Sequence, residues 1–213
     1  MRNYLNILAG TAIFFYLLKI SKKPASAPVS AIDPIYKKEF NLDIIPDGKN
    51  NYRSGQITAS KLPEIIKKYN IKQIIRMNAD GGDAWNLPKH GPTSRATEKA
   101  ICDKLGCKYI FINAHKGYKP GKGYTQSLSE ISALLDRGNV LIHCAHGADR
   151  TGGMVGGYLL SRKFLPDPKS VWNYSIKYNQ WPYYIKTGQF FGKFDKYAET
   201  FIPIPDIKKM YGK

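Results

Sequence analysis

Cysteine and acidic residues are both scarce in this 213-residue chain. The three cysteines are Cys102, Cys107 and Cys144. An odd number excludes a fully paired disulfide framework, and a chain of this length does not need one. Cys102 and Cys107 have no second cysteine pair or histidine pair at zinc spacing, so no metal site is expected, and no cofactor is implied. A reducing compartment is the simpler assumption, in which both read as small apolar residues. Acid is outnumbered: Asp+Glu 16 against Lys+Arg 33 leaves a formal charge of +17. That excess favours anionic partners such as phosphorylated proteins, phosphoinositides, nucleic acid or an acidic membrane face. Its sign does not choose among them, and the Lys-, Asn-, Ile- and Tyr-rich bias of an AT-rich genome produces the same excess without selection for binding. Internal repeats are absent, and the length suits one domain with a short appendage, which excludes a multidomain machine. Hydrophobic residues at 43% and charged residues at 23% exclude wholesale disorder, while Gly 19 and Pro 13 imply many turns but no fibrous repeat.

One stretch lacks charge almost completely. Residues 4–20, YLNILAGTAIFFYLLKI, are uncharged until Lys19 and would be roughly 26 Å long as a helix. Residues 1–21 are therefore expected to be a membrane anchor helix, 22–31 a small-residue, Pro-containing linker, and 32–213 the catalytic body. Lys19, Lys22 and Lys23 follow the apolar run with only Arg2 ahead. By the positive-inside tendency they predict a single-pass protein with its body on the cytoplasmic side. The alternatives are a secretory signal cleaved near Ala25-Ser26-Ala27, or a soluble amphipathic or buried helix. Nothing in the sequence specifies an oligomeric state.

Apolar periodicity predicts a helix over 62–69, a buried strand over 71–77 ending in the NADGGD loop, a helix over 93–105 and a strand over 108–112. A helix over 125–137 stops at Gly138. The short strand 140–143 then feeds CAHGADRTG, and a helix runs from about Thr151 to Phe164. Two further helices are expected over 169–179 and 193–200. Alternating strands and helices imply an α/β fold with a central, mostly parallel sheet flanked by helices.

The strand-to-helix segment VLIHCAHGADRTGG, residues 140–153, carries the chemistry. A tight loop can turn successive backbone N–H groups toward a phosphoryl group, and the following helix N-terminus adds positive potential. Arg150 supplies a planar fork for two phosphoryl oxygens. Cys144 would attack phosphorus as a thiolate favoured by that field, forming a phosphocysteine intermediate. Thr151 could donate to the sulfur when it leaves, and His143 orders the loop. The run HCAHGADRTG resembles the signature of the cysteine-dependent protein tyrosine and dual-specificity phosphatases: His-Cys, five residues, Arg, then Thr or Ser. The upstream NNYRSGQI, residues 50–57, resembles a segment near the start of bacterial and viral dual-specificity-like members. The resemblance covers roughly residues 40–165. It implies a hydrolase with Cys144 as nucleophile, Arg150 gripping phosphate, loop backbone from Ala145 through His146, Gly147 and Ala148 to Asp149 around it, and structural roles for Arg53 and Ser54.

A general acid is missing from its usual place. The family supplies an aspartate some 30 to 40 residues before the nucleophile, whereas residues 111–124, FINAHKGYKPGKGY, offer Asn113 and His115 there. Asp149 inside the loop, Asp80 or Asp83 after the strand ending near Met77, and His115 are the candidates. A good leaving group would need no acid. A phosphorylated protein is the expected substrate. A phosphoinositide or inositol phosphate is the first alternative, supported by Asp149 and by a rim of Lys116, Lys119 and Lys122. His146 also resembles the second histidine of RNA 5′-triphosphatases, which keeps nucleic acid open as a partner. A catalytically inactive phosphate-binding scaffold is the alternative of a different class.

Overall fold

The computed structural model describes residues 31–80, 93–113, 122–167, 170–171, 174 and 178, without the side chains of 122–125 and 149. The chain divides into two units, Met1–Ser30 and Ala31–Lys213, and the first lies outside the described residues.

Local signals start and stop the helices of the second unit. Helix α1, Pro34–Phe40, opens where Asp33 accepts from Ile35 N at 2.9 Å with Pro34 in the first turn, and stops at Asn41 in the left-handed region. Helix α2, Leu62–Lys68, buries Leu62, Ile65 and Ile66 on one face. Helix α3, Arg95–Lys104, is capped by Ser94, whose hydroxyl accepts from Thr97 N at 3.1 Å. Helices α4, Lys122–Leu135, and α5, Asp149–Arg162, complete the set.

The strands are β1 Asp43–Ile44, β2 Tyr52–Ser54, β3 Gln73–Arg76, β4 Lys108–Phe111 and β5 Val140–His143. They form one sheet in the order β1-β2-β5-β3-β4, antiparallel only at β1–β2. Alternate residues face opposite sides. Ile75 and Ile142 join Ile131, Leu135, Val155 and Leu159 in one core, while Ile74 and Leu141 join Leu42, Leu62, Ile65 and Ile66 in the other. Burial on both faces is why the central strands read as unbroken apolar runs. The register sets Ser54, His143, Arg76 and Phe111 side by side in one row at the carboxyl ends of the parallel strands. The loop after β5 leaves from the middle of that row.

The α/β fold with its mostly parallel sheet agrees with the sequence reading. Helix α5 starts at Asp149, two residues before the expected Thr151, which puts Asp149 and Arg150 in its first turn. Helix α1 and strands β1 and β2 were not anticipated. Of the helix expected over 169–179, Ser170, Val171 and Tyr174 are helical; the helix expected over 193–200 lies outside the described residues.

The membrane assignment is corrected. Among the described residues no helix is long and apolar enough to cross a membrane. The longest, α4 and α5, have 14 residues each, about 21 Å of rise against the ~30 Å of a hydrocarbon core. The expected anchor over 1–21 lies outside the described residues. The single-pass topology, cytoplasmic orientation and membrane partner inferred from it therefore have no structural support.

Candidate active site

The loop from Cys144 to Ala148 is shaped by what its carbonyls touch. Ala145 O accepts from Gln56 N at 2.9 Å, His146 O from Asn41 Nδ2 at 2.9 Å, and Gly147 O from Arg53 Nη2 at 2.5 Å. Ala148 O accepts from Gly152 N at 2.6 Å, and Cys144 O stands 3.3 Å from His143 Nδ1. In a trans peptide each amide points away from the carbonyl before it, so these engaged carbonyls turn the amides the other way. None of the N–H groups from Ala145 to Ala148 has an acceptor among the described residues. Consecutive amides left open beside the N-terminus of α5 make an anion cradle.

Two glycines permit this close fit. Gly147 has φ +70°, and a Cβ on it would stand 2.4 Å from Gly55 N. A Cβ on Gly55 would stand 3.0 Å from the carbonyl of His146. The loop is thus seated on the Ser54–Gly55 backbone that follows β2. Arg53 passes beneath it, fully buried, with its guanidinium 3.8 Å from the centroid of the Tyr178 ring. Tyr178 donates in turn to Asp43.

Cys144 sits at the base of the loop, 3% exposed. Arg150, in the first turn of α5, donates from Nη1 to Met77 O at 3.3 Å, which directs its side chain toward the exit of β3. Thr151 is fully buried, and its hydroxyl has no hydrogen-bond partner among the described residues, the Cys144 sulfur included.

A charged network lies under the loop. His143 Nε2 is 2.9 Å from Glu98 Oε1, out of line for a hydrogen bond, and Arg76 Nη1 is 3.0 Å from Glu98 Oε2. Burial pushes the Glu98 carboxyl up, but His143 and Arg76 outweigh it and hold the group below the usual glutamate value. Arg76 also donates to Asn78 O at 2.9 Å, Thr93 O at 2.8 Å and Asp80 Oδ1 at 2.9 Å. Gln56 donates to Thr93 O and accepts from Asn78 Nδ2 at 3.1 Å, linking this network to the loop seat.

The structure thus brings Cys144, Ala145, His146, Gly147, Ala148, Arg150 and Thr151 together, with His143 behind them. Asp149 opens α5, but its side chain is outside the description; Asp83 and His115 lie outside the described residues altogether. Asp80 is engaged elsewhere: it pairs with Arg76, accepts from Arg95 N at 2.9 Å and faces Arg95 Nε at 3.1 Å. Partial burial would raise its carboxyl, but Arg95 and Arg76 bring it below the usual aspartate value. Among the described residues no cluster of three or more His, Cys, Asp or Glu could hold a metal ion.

Asn41, Gln56, Arg76 and Glu98 were not anticipated. The one sequence signal pointing to them is the YRSGQ run, which holds Gln56 next to the glycine turn.

The chain resembles solved structures in its fold. TpbA of P. aeruginosa superposes with a TM-score of 0.51 at 19% identity, covering 90% of this chain and 96% of the other. The core catalytic domain of SIW14 from S. cerevisiae, a PP-IP phosphatase, superposes with a TM-score of 0.53 at 17% identity, covering 86% of this chain and 96% of the other. The fold resembles that of the cysteine-based phosphatases. At these identities the likeness shows the fold alone. No known family profile and no curated protein matches the sequence significantly.

Proposed function

We propose that the chain hydrolyses phosphomonoesters through a phosphocysteine on Cys144. The observation that carries the reading is the loop whose carbonyls from Cys144 to Ala148 are all engaged, leaving open amides beside a buried cysteine with Arg150 in the next turn. In the first step the Cys144 thiolate attacks phosphorus and the bond to the leaving oxygen breaks. The equatorial oxygens are held by the loop amides from Ala145 to Asp149 and by the Arg150 fork, which also stabilise charge in the transition state. In the second step water attacks phosphorus, the S–P bond breaks and inorganic phosphate leaves. Thr151, with its buried and otherwise unpartnered hydroxyl, is the donor assigned to the departing sulfur.

Asp149 is the assigned proton donor to the leaving oxygen. It shares the first turn of α5 with Arg150, whereas Asp80 is spent on two arginines and is held ionised by them.

A phosphorylated protein, with phosphotyrosine first, is the substrate assigned; TpbA, of the same fold, has been solved in complex with pTyr. A second reading, an inositol phosphate or pyrophosphate, draws on the engagement of Asp80, on the +17 charge, and on the description of SIW14 as a PP-IP phosphatase. A pyrophosphate leaving group departs without an acid. The test is a panel of phosphotyrosine peptide, phosphoserine peptide, phosphoinositide vesicles, inositol pyrophosphate and RNA 5′-triphosphate, run on wild type and Cys144→Ser. Preferred turnover of the tyrosine peptide, lost in Cys144→Ser, is expected. Preference for inositol pyrophosphate selects the second reading, and no turnover of any substrate leaves a phosphate-binding scaffold.

A further inference from the structure

We infer that Glu98 is a positioning residue for the Cys144 chemistry: its buried carboxylate fixes the His143 ring and, through it, the peptide carbonyl of Cys144. The inference rests on the hydrolase reading above and adds to it a residue far from the signature.

Glu98 is 1% exposed, while Arg95, Ala96, Thr97, Lys99 and Ala100 on the same helix are exposed. A first-turn glutamate can favour a helix N-terminus from the solvent side, so the helix does not require this burial. Taking a carboxylate out of water costs several kcal/mol unless each oxygen finds a partner. Here each does: Oε2 meets Arg76 Nη1 at 3.0 Å and Oε1 meets His143 Nε2 at 2.9 Å.

Arg76 is a stationary base for this carboxylate. It is fully buried, and it also donates to Asn78 O, Thr93 O and Asp80. Arg76 and His143 are also direct neighbours in the β3–β5 register, so Glu98 spans the ends of two adjacent strands.

His143 then has an oxygen beside each nitrogen. Nδ1 is 3.3 Å from Cys144 O, a carbonyl that can only accept, so a bond there requires the proton on Nδ1. Nε2 stands 2.9 Å from the carboxylate, a contact that attracts only when Nε2 carries a proton as well. A ring flip would replace both nitrogens with carbons at these oxygens, so a carbonyl on one side and a carboxylate on the other select one ring orientation. Remove the charge at Nε2 and the ring loses what fixes it. The Cys144 carbonyl, first of the series that shapes the loop, then loses its partner.

A merely structural Glu98 would act through Arg76 alone, and a mutant cycle on the full chain separates the two. With p-nitrophenyl phosphate as probe, Glu98→Gln keeps the shape and is expected to lower kcat about tenfold, equivalent to about 1.4 kcal/mol in the barrier. KM should move less than about twofold, because the group acts on geometry and not on substrate binding. In a His143→Asn background the same change should alter kcat by less than about twofold, since the ring it acts through is gone. An equal loss in both backgrounds, or no loss in the first, overturns the inference. The His143 ring nitrogen NMR signals give a readout independent of turnover: one ordered state in wild type and exchange between states in Glu98→Gln are expected, and unchanged signals overturn the inference. Should wild type turn over no phosphoester, the hydrolase reading fails and the ring signals still decide the role of Glu98. Should Glu98→Gln not fold, Glu98→Asp enters the same cycle.

Discussion

Adding one methyl group to Gly147 should disable the loop with little damage to the fold. Its φ of +70° already disfavours any other residue, at a cost of about 1–2 kcal/mol. The larger effect is contact. A Cβ there would lie 2.4 Å from Gly55 N, 2.5 Å from Ser54 C and 2.7 Å from Ser54 O. Carbon contacts settle near ~3.5–4.0 Å, so the loop must move by about 1 Å. These neighbours are backbone atoms and cannot rotate away, and Gly55 N is itself bonded to Phe40 O at 2.6 Å. Displacing catalytic groups by about 1 Å can cost about 100-fold in rate, and overpacking costs roughly 1–3 kcal/mol of stability. Gly106 supplies the control: its φ is +66° and a Cβ would meet nothing within 4 Å. Gly147→Ala should therefore lose about 100-fold in kcat/KM, while Gly106→Ala keeps wild-type kinetics and loses only the backbone cost in thermal unfolding. A folded Gly147→Ala variant with kcat/KM within about threefold of wild type would refute the close fit of loop and seat.

Arg53→Met removes the donor to Gly147 O and the cation over Tyr178. Thermal unfolding should report about 1–3 kcal/mol lost and steady-state kinetics at least about tenfold in kcat, the rate effect following from the freed carbonyl. Asp136 is held at about 2 by its hydrogen bond to Arg162 first and by Lys49. A depressed folded value means stability that is complete above the unfolded value near ~4 and lost as pH falls through about 2. Asp136→Asn should cost about 1 kcal/mol at neutral pH, discounted because the pair is about one-third exposed. Its deficit should vanish in urea titrations as pH approaches 2. For the leaving-group proton, Asp149→Asn should slow an alkyl or phenyl phosphate about 100-fold and a nitrophenyl phosphate far less; Asp80→Asn should leave that ratio unchanged, and the reverse pattern would assign the acid to Asp80.

What the sequence made legible follows from how local each signal is. Val140–His143 was read to the residue because a buried parallel strand is an apolar run on both faces. The strand-to-helix segment was legible as well, since β5, Gly147 and the start of α5 lie in one continuous run. Strand β2 was missed because Tyr52–Ser54 has only three residues, one of them an arginine buried beneath the loop. The target of that arginine, the Gly147 carbonyl, is 94 positions away, and no local pattern announces it. Glu98 was hidden for a related reason: a charged residue early in a polar helix reads as a solvated one until the strands bring Arg76 and His143 to it. Asp80 was readable as a loop carboxylate but not as the partner of two arginines. The apolar N-terminal run was overread as a span, and the described structure lends that no support.

The covalent intermediate is the central claim and can be measured directly. Wild-type protein is mixed with a ³²P-labelled phosphotyrosine peptide, quenched in acid within milliseconds, digested and sequenced by mass spectrometry. Labelled phosphate on the peptide containing Cys144, acid-stable, lost on iodine treatment and absent from Cys144→Ser, is the result expected. Substrate turnover with no label on Cys144, or label retained in Cys144→Ser on another side chain, would contradict it.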